Sequence, residues 1–219
     1  MKAKAIACRV MEAELRALAP ADTEFEIFEI SEHVRPDQLA NRLQEAVNRA
    51  DGRYDPIYLG YGLCSKAVAG LTAHRSRLIV FRADDCIAIF LGSQQARVKL
   101  AQERPGSYFL SRGWIDAGAG SIFDEYARME KRWGAERAGK LFRKMLEHYT
   151  QLTHIALPGA PSLEADRSYA REKAAQFKLE YVEIAGTLSM MERLFAGQEC
   201  AEIAVFAPGE PITLEAMRK

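Results

Sequence analysis

Four cysteines in 219 residues are too few to form a stabilising disulfide framework. A chain near this length hides roughly 70% of its unfolded surface on folding, so it needs no covalent staples. Each thiol therefore reads as core filler, metal ligand or nucleophile in a reducing compartment. Charge of one sign is also lacking: 30 Lys+Arg face 30 Asp+Glu, and no half of the chain carries a block of either. That balance argues against nucleic acid as the main partner. No apolar run approaches the ~18–20 residues of a spanning helix, and Met1-Lys2-Ala3-Lys4 leads straight into a short strand instead of a secretory leader. The expectation is a soluble cytoplasmic protein with no membrane partner. Phosphate-cradling glycine motifs are absent, so Gly60, Gly62 and Gly70 read as turn and packing glycines. Neither an internal repeat nor a low-complexity tract is present.

What the chain does have is short β-type apolar runs alternating with amphipathic stretches. This pattern predicts an α/β fold with a mostly parallel open sheet and flanking helices. Lys4-Ala5-Ile6-Ala7-Cys8 reads as a first strand, and Met11, Leu15 and Leu18 as one helical face that Pro20 stops. Residues 24–30 alternate charge with Phe25, Ile27, Phe28 and Ile30, which fits a half-exposed strand near an edge. Pro36 opens a helix whose buried stripe is Leu39, Leu43 and Val47, and Asp51-Gly52 ends it. Ile57-Tyr58-Leu59 is a third strand, after which Ser65 is expected to cap a helix through Leu71. Residues 78–81 form a fourth strand, and Asp84 or Asp85 caps a helix starting near Cys86.

Further on, residues 106–114 read as an irregular aromatic segment and residues 123–149 as long, charged, helical sequence. The alternation then resumes, with strands at 154–157, 181–184 and 202–206 and helices at 163–177 and 189–195. The expected organisation is two α/β lobes with a helical arm between them. An N-terminal unit spans 1–115, the arm 116–150 and a smaller C-terminal unit 151–219.

In an open parallel sheet, ligands sit beyond the carboxyl ends of the strands, where βα turns gather. Cys8 closes the first strand, His33 follows the second, Cys64 the third and Cys86 the fourth, so all four leave the sheet at one edge. Strands lie about 4.8 Å apart, close enough for thiolates to reach the roughly 3.7 Å separation set by zinc–sulfur bonds of about 2.3 Å. Cys8, Cys64 and Cys86, with His33 as a further ligand, are the candidate metal site, for zinc or an iron–sulfur cluster. The competing reading is that each cysteine is a small buried hydrophobe and His33 a solvated loop residue.

Cys64 and Cys86 both fall at expected helix starts, which would lower their pKa values, with Asp84 and Asp85 opposing. Arg35 and Arg82 leave the same edge and would hold an anionic substrate, or else pair with Asp84, Asp85 or Glu14. Gly62-Leu63-Cys64-Ser65-Lys66 resembles a nucleophile elbow, but Lys66 stands where close packing needs glycine. Cys200 reads as a bystander, and His74, His148 and His154 have no partner that the sequence names.

Several runs resemble one prokaryotic family of uncharacterised proteins, catalogued as domain of unknown function 1638. They are Gly60-Tyr61-Gly62-Leu63-Cys64, the stretch from Arg82-Ala83-Asp84-Asp85-Cys86 to Ser93, Pro105-Gly106-Ser107-Tyr108-Phe109-Leu110 and Gly113-Trp114. Ala7-Cys8, Glu14-Leu15, His33-Val34-Arg35-Pro36 and Pro208-Gly209 extend the likeness over nearly the whole chain. Members tend to carry glycine and then a small or amide residue after Gly-Leu-Cys, where this chain has Ser65-Lys66. The resemblance implies an association with corrinoid-dependent methyl transfer or one-carbon metabolism, and hence a small molecule or corrinoid protein as partner. In that light Tyr108 and Trp114, with Phe109 and Arg112, read as a substrate-binding wall over the cysteine edge, or as ordinary packing. Three functional readings follow: a three-cysteine metal protein, a non-catalytic small-ligand binding or accessory module, and a metal-free thiol enzyme using Cys64 or Cys86.

Overall fold

The computed structural model describes residues 2–117, 122–159 and 163–218, except the side chain of Ser65, so the helix cap expected of that residue lies outside what is described. Two compact units emerge, one of Met1–Arg97 with Thr187–Lys219 and the other of Val98–Gly186. The first begins with β1 (Lys4–Cys8), α1 (Glu12–Leu18), β2 (Glu24–Phe28) and α2 (Pro36–Ala50), then β3 (Ile57–Gly60), β4 (Leu78–Phe81) and α3 (Cys86–Leu91). Residues of β1, β3 and β4 are buried almost throughout, as apolar strands with both faces covered must be. In β2 only Phe28 is fully buried, and β2 lies at the edge, as its alternating charge implies. Pro36 at the first turn of α2 forfeits no hydrogen bond, and Leu39, Leu43, Ala46, Val47 and Ala50 form its buried stripe. The Asp85 carboxylate accepts the Ala88 N–H at 2.8 Å and so caps α3.

Helix α4 (Gln94–Glu103), which the sequence pattern does not announce, leads into the second unit. There β5 (Ser107–Leu110), α5 (Arg112–Asp116), α6 (Ile122–Trp133), α7 (Ala135–Met145), β6 (Gln151–Ala156), α8 (Leu163–Phe177) and β7 (Glu180–Ala185) build a parallel sheet of order β5-β6-β7 with its own helices. The supposedly irregular aromatic segment is thus a strand and a short helix: Tyr108 and Leu110 pair with Leu152 and His154 of β6. Nor are α6 and α7 an arm. Phe123, Phe142 and Leu146 pack with Leu110, Leu152, Ala170 and Ala174 into one core, because each helix has an apolar face to bury. Gly134, with φ +81°, breaks the helical run between α6 and α7.

Finally α9 (Ser189–Ala196) and β8 (Ile203–Phe206) return to the first unit, completing a sheet of order β2-β1-β3-β4-β8. β8 runs antiparallel to β4, with Leu78 opposite Phe206 and Phe81 opposite Ile203. The boundaries expected at 115 and 151 differ from this division for a physical reason. Ile203, Ala204 and Phe206 are buried, and they find cover on the first sheet rather than the second. Among the described residues no helix is long and apolar enough to cross a membrane.

Candidate functional site

Because β1, β3 and β4 are mutually parallel, their C-terminal ends share one edge of the first sheet. Cys8 is the last residue of β1 and is buried, whereas Cys64, in the turn after β3, and Cys86, the first residue of α3, are half-buried. Gly62 is what lets the turns after β3 and β4 touch. A Cβ there would stand 2.6 Å from the Ala83 carbonyl oxygen. With only hydrogen in that space, the Leu63 N–H donates to Ala83 O at 2.7 Å and the Cys64 N–H to Asp84 O at 3.0 Å. Cys64 is thereby held so that the backbone N–H groups of Gly62 and Cys86 point at its sulfur. Cys8 and Cys64 are near enough to feel one another's charge.

Tyr61 lies beneath this edge. Its ring is fully buried, and its hydroxyl, within electrostatic reach of Cys8, Glu32 and Cys64, has no hydrogen-bond partner among the described residues. His33 stacks on that ring, with centroids 5.9 Å apart and planes 28° from parallel. Its Nδ1 lies 3.1 Å from the Ile30 carbonyl oxygen, which can only accept, so Nδ1 carries the proton and Nε2 keeps a free lone pair. Burial holds the His33 pKa below its ordinary value, which keeps the ring neutral.

Cys64 is not activated in the way the sequence suggests. Burial pushes Cys8 up to about 12 and Cys64 up to about 11, and the Asp85 charge pushes Cys64 the same way. Cys64 opens a single 3-10 turn, Cys64–Lys66, and not an α-helix, so no helix dipole offsets its desolvation. Lys66 itself adopts φ +65°, a left-handed conformation in which the family's small or amide residue would sit more easily. Among the described residues, no group of three or more His, Cys, Asp or Glu is arranged to hold a metal ion.

The expected substrate-binding residues have the following surroundings. Arg35 is exposed, with Nη1 3.4 Å from Gln38 Oε1. Arg82 donates to the carbonyls of Ile203 and Ala216, both at 2.9 Å, and also to that of Cys200 and to the Glu199 carboxylate. It therefore ties the C-terminal segment to β4 instead of pairing with Asp84, Asp85 or Glu14. Asp84 exchanges two hydrogen bonds with Gln94, and Asp85 caps α3 while pairing with Arg97 at 3.2 Å. A cavity of about 640 Å³ opens beside Arg82, Asp84, Gln94 and Glu202, but none of the three candidate cysteines lines it. Tyr108 and Trp114 belong to the second unit, where both pack against its core, and the Tyr108 ring meets Phe123 edge-on at 5.3 Å. Cys200, half-buried, has its sulfur 3.6 Å from Glu202 Oε2.

A second cluster lies in the second unit, and composition and spacing do not reach it. His154 and Asp166 are each 1% exposed, and Ser111 is fully buried. Arg112 Nη1 donates to Asp166 Oδ1 at 2.7 Å, while His154 lies within reach of the Asp166 charge with Nδ1 3.6 Å from Glu183. Ser111 Oγ, Trp114 Nε1 and Asp166 Oδ2 are buried with no hydrogen-bond partner among the described residues. Leaving such an atom unpaired costs about 1–3 kcal/mol, a cost that an ordered water also removes. The one signal in the sequence is a histidine in β6, a strand buried along most of its length.

The architecture defines an α/β protein with thiols on the carboxyl edge of a parallel sheet. The chain belongs to the family described as protein of unknown function (DUF1638), whose profile matches residues 27–195. No curated protein and no solved structure matches it.

Proposed function

We propose that the protein binds a thiophilic metal, as zinc or an iron–sulfur cluster, through Cys8, Cys64 and Cys86, with His33 or an exogenous ligand completing the shell. The observation that carries this reading is the convergence of β1, β3 and β4 ends: Cys8 and Cys64 within electrostatic reach, and the Cys86 backbone N–H directed at the Cys64 sulfur. The donor chemistry is consistent with it. His33 offers a neutral Nε2, and thiols that burial keeps protonated are ones a dication would deprotonate on binding. The three sulfurs must draw together from their present side-chain positions, since no preassembled group is found among the described residues. Service to corrinoid-dependent methyl transfer or one-carbon metabolism, with a small molecule or corrinoid protein as partner, is the setting the family resemblance implies.

The test is metal analysis of anaerobically purified protein beside its Cys64→Ser and Cys86→Ser variants. Stoichiometric zinc or iron in the parent, lost in both variants, is the expected result. Metal-free parent protein that also fails to take up cobalt would overturn the proposal. The second reading is a non-catalytic ligand-binding module, and the buried polar atoms around Ser111, His154 and Asp166 favour it. It predicts that Asp166→Asn abolishes ligand-induced stabilisation while metal content stays unchanged.

A further inference from the structure

The second unit contains a cavity of about 370 Å³ between α6, α7 and the end of α8. Pockets that take small organic ligands start at about 300 Å³, so this one suits a molecule of one or two rings. Its interior is aromatic. Tyr126, Phe142 and Phe177 line it and touch one another, with centroid separations of 4.5 to 5.1 Å, and buried Leu146 adds an aliphatic wall. Its charge is of one sign. Arg143 and Lys178 line it, no carboxylate does, and neither cation forms an ion pair among the described residues.

Lys178 supplies an independent argument. It follows α8 at the position where the helix ends in a double hydrogen-bonded cap: its own N–H donates to Ala175 O at 3.3 Å and the Leu179 N–H to Ala174 O at 2.9 Å. That cap requires a left-handed residue, and Lys178 has φ +58°. Glycine is the usual occupant, because a Cβ in this conformation is strained. A lysine here sets a cationic side chain among the residues that line the cavity, where glycine would place none.

We propose that this cavity binds a flat aromatic anion, an aryl carboxylate or a group of the same shape and charge. The rings Tyr126, Phe142 and Phe177 stack on or abut its face, and Arg143 and Lys178 hold its anionic group, with the Gln176 amide as a further donor.

Titration of the full-length protein with naphthoate, followed by calorimetry, tests this, with naphthalenemethanol as the uncharged control. Saturable naphthoate binding, at least about tenfold tighter than that of the alcohol, is expected. Arg143→Gln and Lys178→Gly should each weaken it about tenfold. Lys178→Gly should at the same time raise the melting temperature, since it relieves the left-handed strain. A merely structural Lys178 would give the rise in melting temperature with unchanged binding. That outcome, equal binding of acid and alcohol, or no saturation at millimolar naphthoate would each overturn the proposal.

Discussion

Gly62 lets the turns that carry Cys64 and Cys86 approach one another. Any side chain there would press on the Ala83 carbonyl from 2.6 Å, a backbone atom that cannot swing aside. Gly62→Ala should therefore part the turns after β3 and β4 and weaken the hydrogen bonds from Leu63 and Cys64. A loss of about 1–3 kcal/mol in urea denaturation is expected, and an unchanged midpoint would show that the close approach is not needed. In the second unit Glu183 carries a large linkage to acid. Hydrogen bonding from Arg167, opposed by partial burial and aided by Tyr181, holds its carboxyl down to about 2. A carboxyl lowered in the folded state contributes stability that is present above its unfolded value of about 4.3 and is lost as pH falls through the folded one. The gap in melting temperature between the parent and Glu183→Gln should be full at neutral pH, shrink below pH of about 4 and close near 2. A gap that persists at lower pH would contradict the assignment.

Helix α3 shows two separable jobs in one side chain. The Asp85 carboxylate caps the helix through the Ala88 N–H, and its charge also raises the Cys64 thiol. Asp85→Ala removes both and should cost about 1 kcal/mol. Asp85→Asn keeps a capping oxygen but drops the charge and with it the Arg97 ion pair, so stability should fall by less than in the Ala variant while Cys64 alkylation by iodoacetamide moves to lower pH. If the pH profile is the same for parent and Asn variant, the Asp85 charge does not act on Cys64.

Elements of this kind were legible where local chemistry fixes them. Pro36 and the Leu39, Leu43, Val47 stripe mark α2 to the residue, and Asp85 before Cys86 marks α3. The segment after Cys64 departs from the expected helix, because its apolar residues up to Leu71 suit a helix and a series of turns equally well. Gly70 at φ +88° and Lys66 at φ +65° instead divide it into turns. The site was half legible. Parallel strands must deliver Cys8, Cys64 and Cys86 to one edge, but the depth of each sulfur depends on packing by Tyr61 and the β4 turn, which spacing does not encode. For Arg82 the sequence offers an anionic substrate or a nearby carboxylate, whereas the carbonyls it holds lie more than 100 residues away in sequence.

On the scale of the whole molecule, the chain leaves its first unit and comes back to it. β8 covers the β4 edge from a segment that the second unit separates from the rest. A fragment of residues 1–97 should therefore expose β4 as an unpaired apolar edge and aggregate, whereas residues 98–186, contiguous and with their own core, should give a cooperative unfolding transition alone. Soluble, cooperatively folded 1–97 would show that β8 is dispensable.

The proposed metal centre also couples the strand ends to solution pH. Binding must displace protons from thiols held up to about 12 and about 11, so affinity should rise with pH, by about tenfold per unit for each proton released. The most direct measurement is X-ray absorption at the metal edge of anaerobically purified protein. Sulfur neighbours at about 2.3 Å, reduced in number by Cys64→Ser, are expected. A metal surrounded only by oxygen and nitrogen, or no metal at all, would contradict the three-thiolate site.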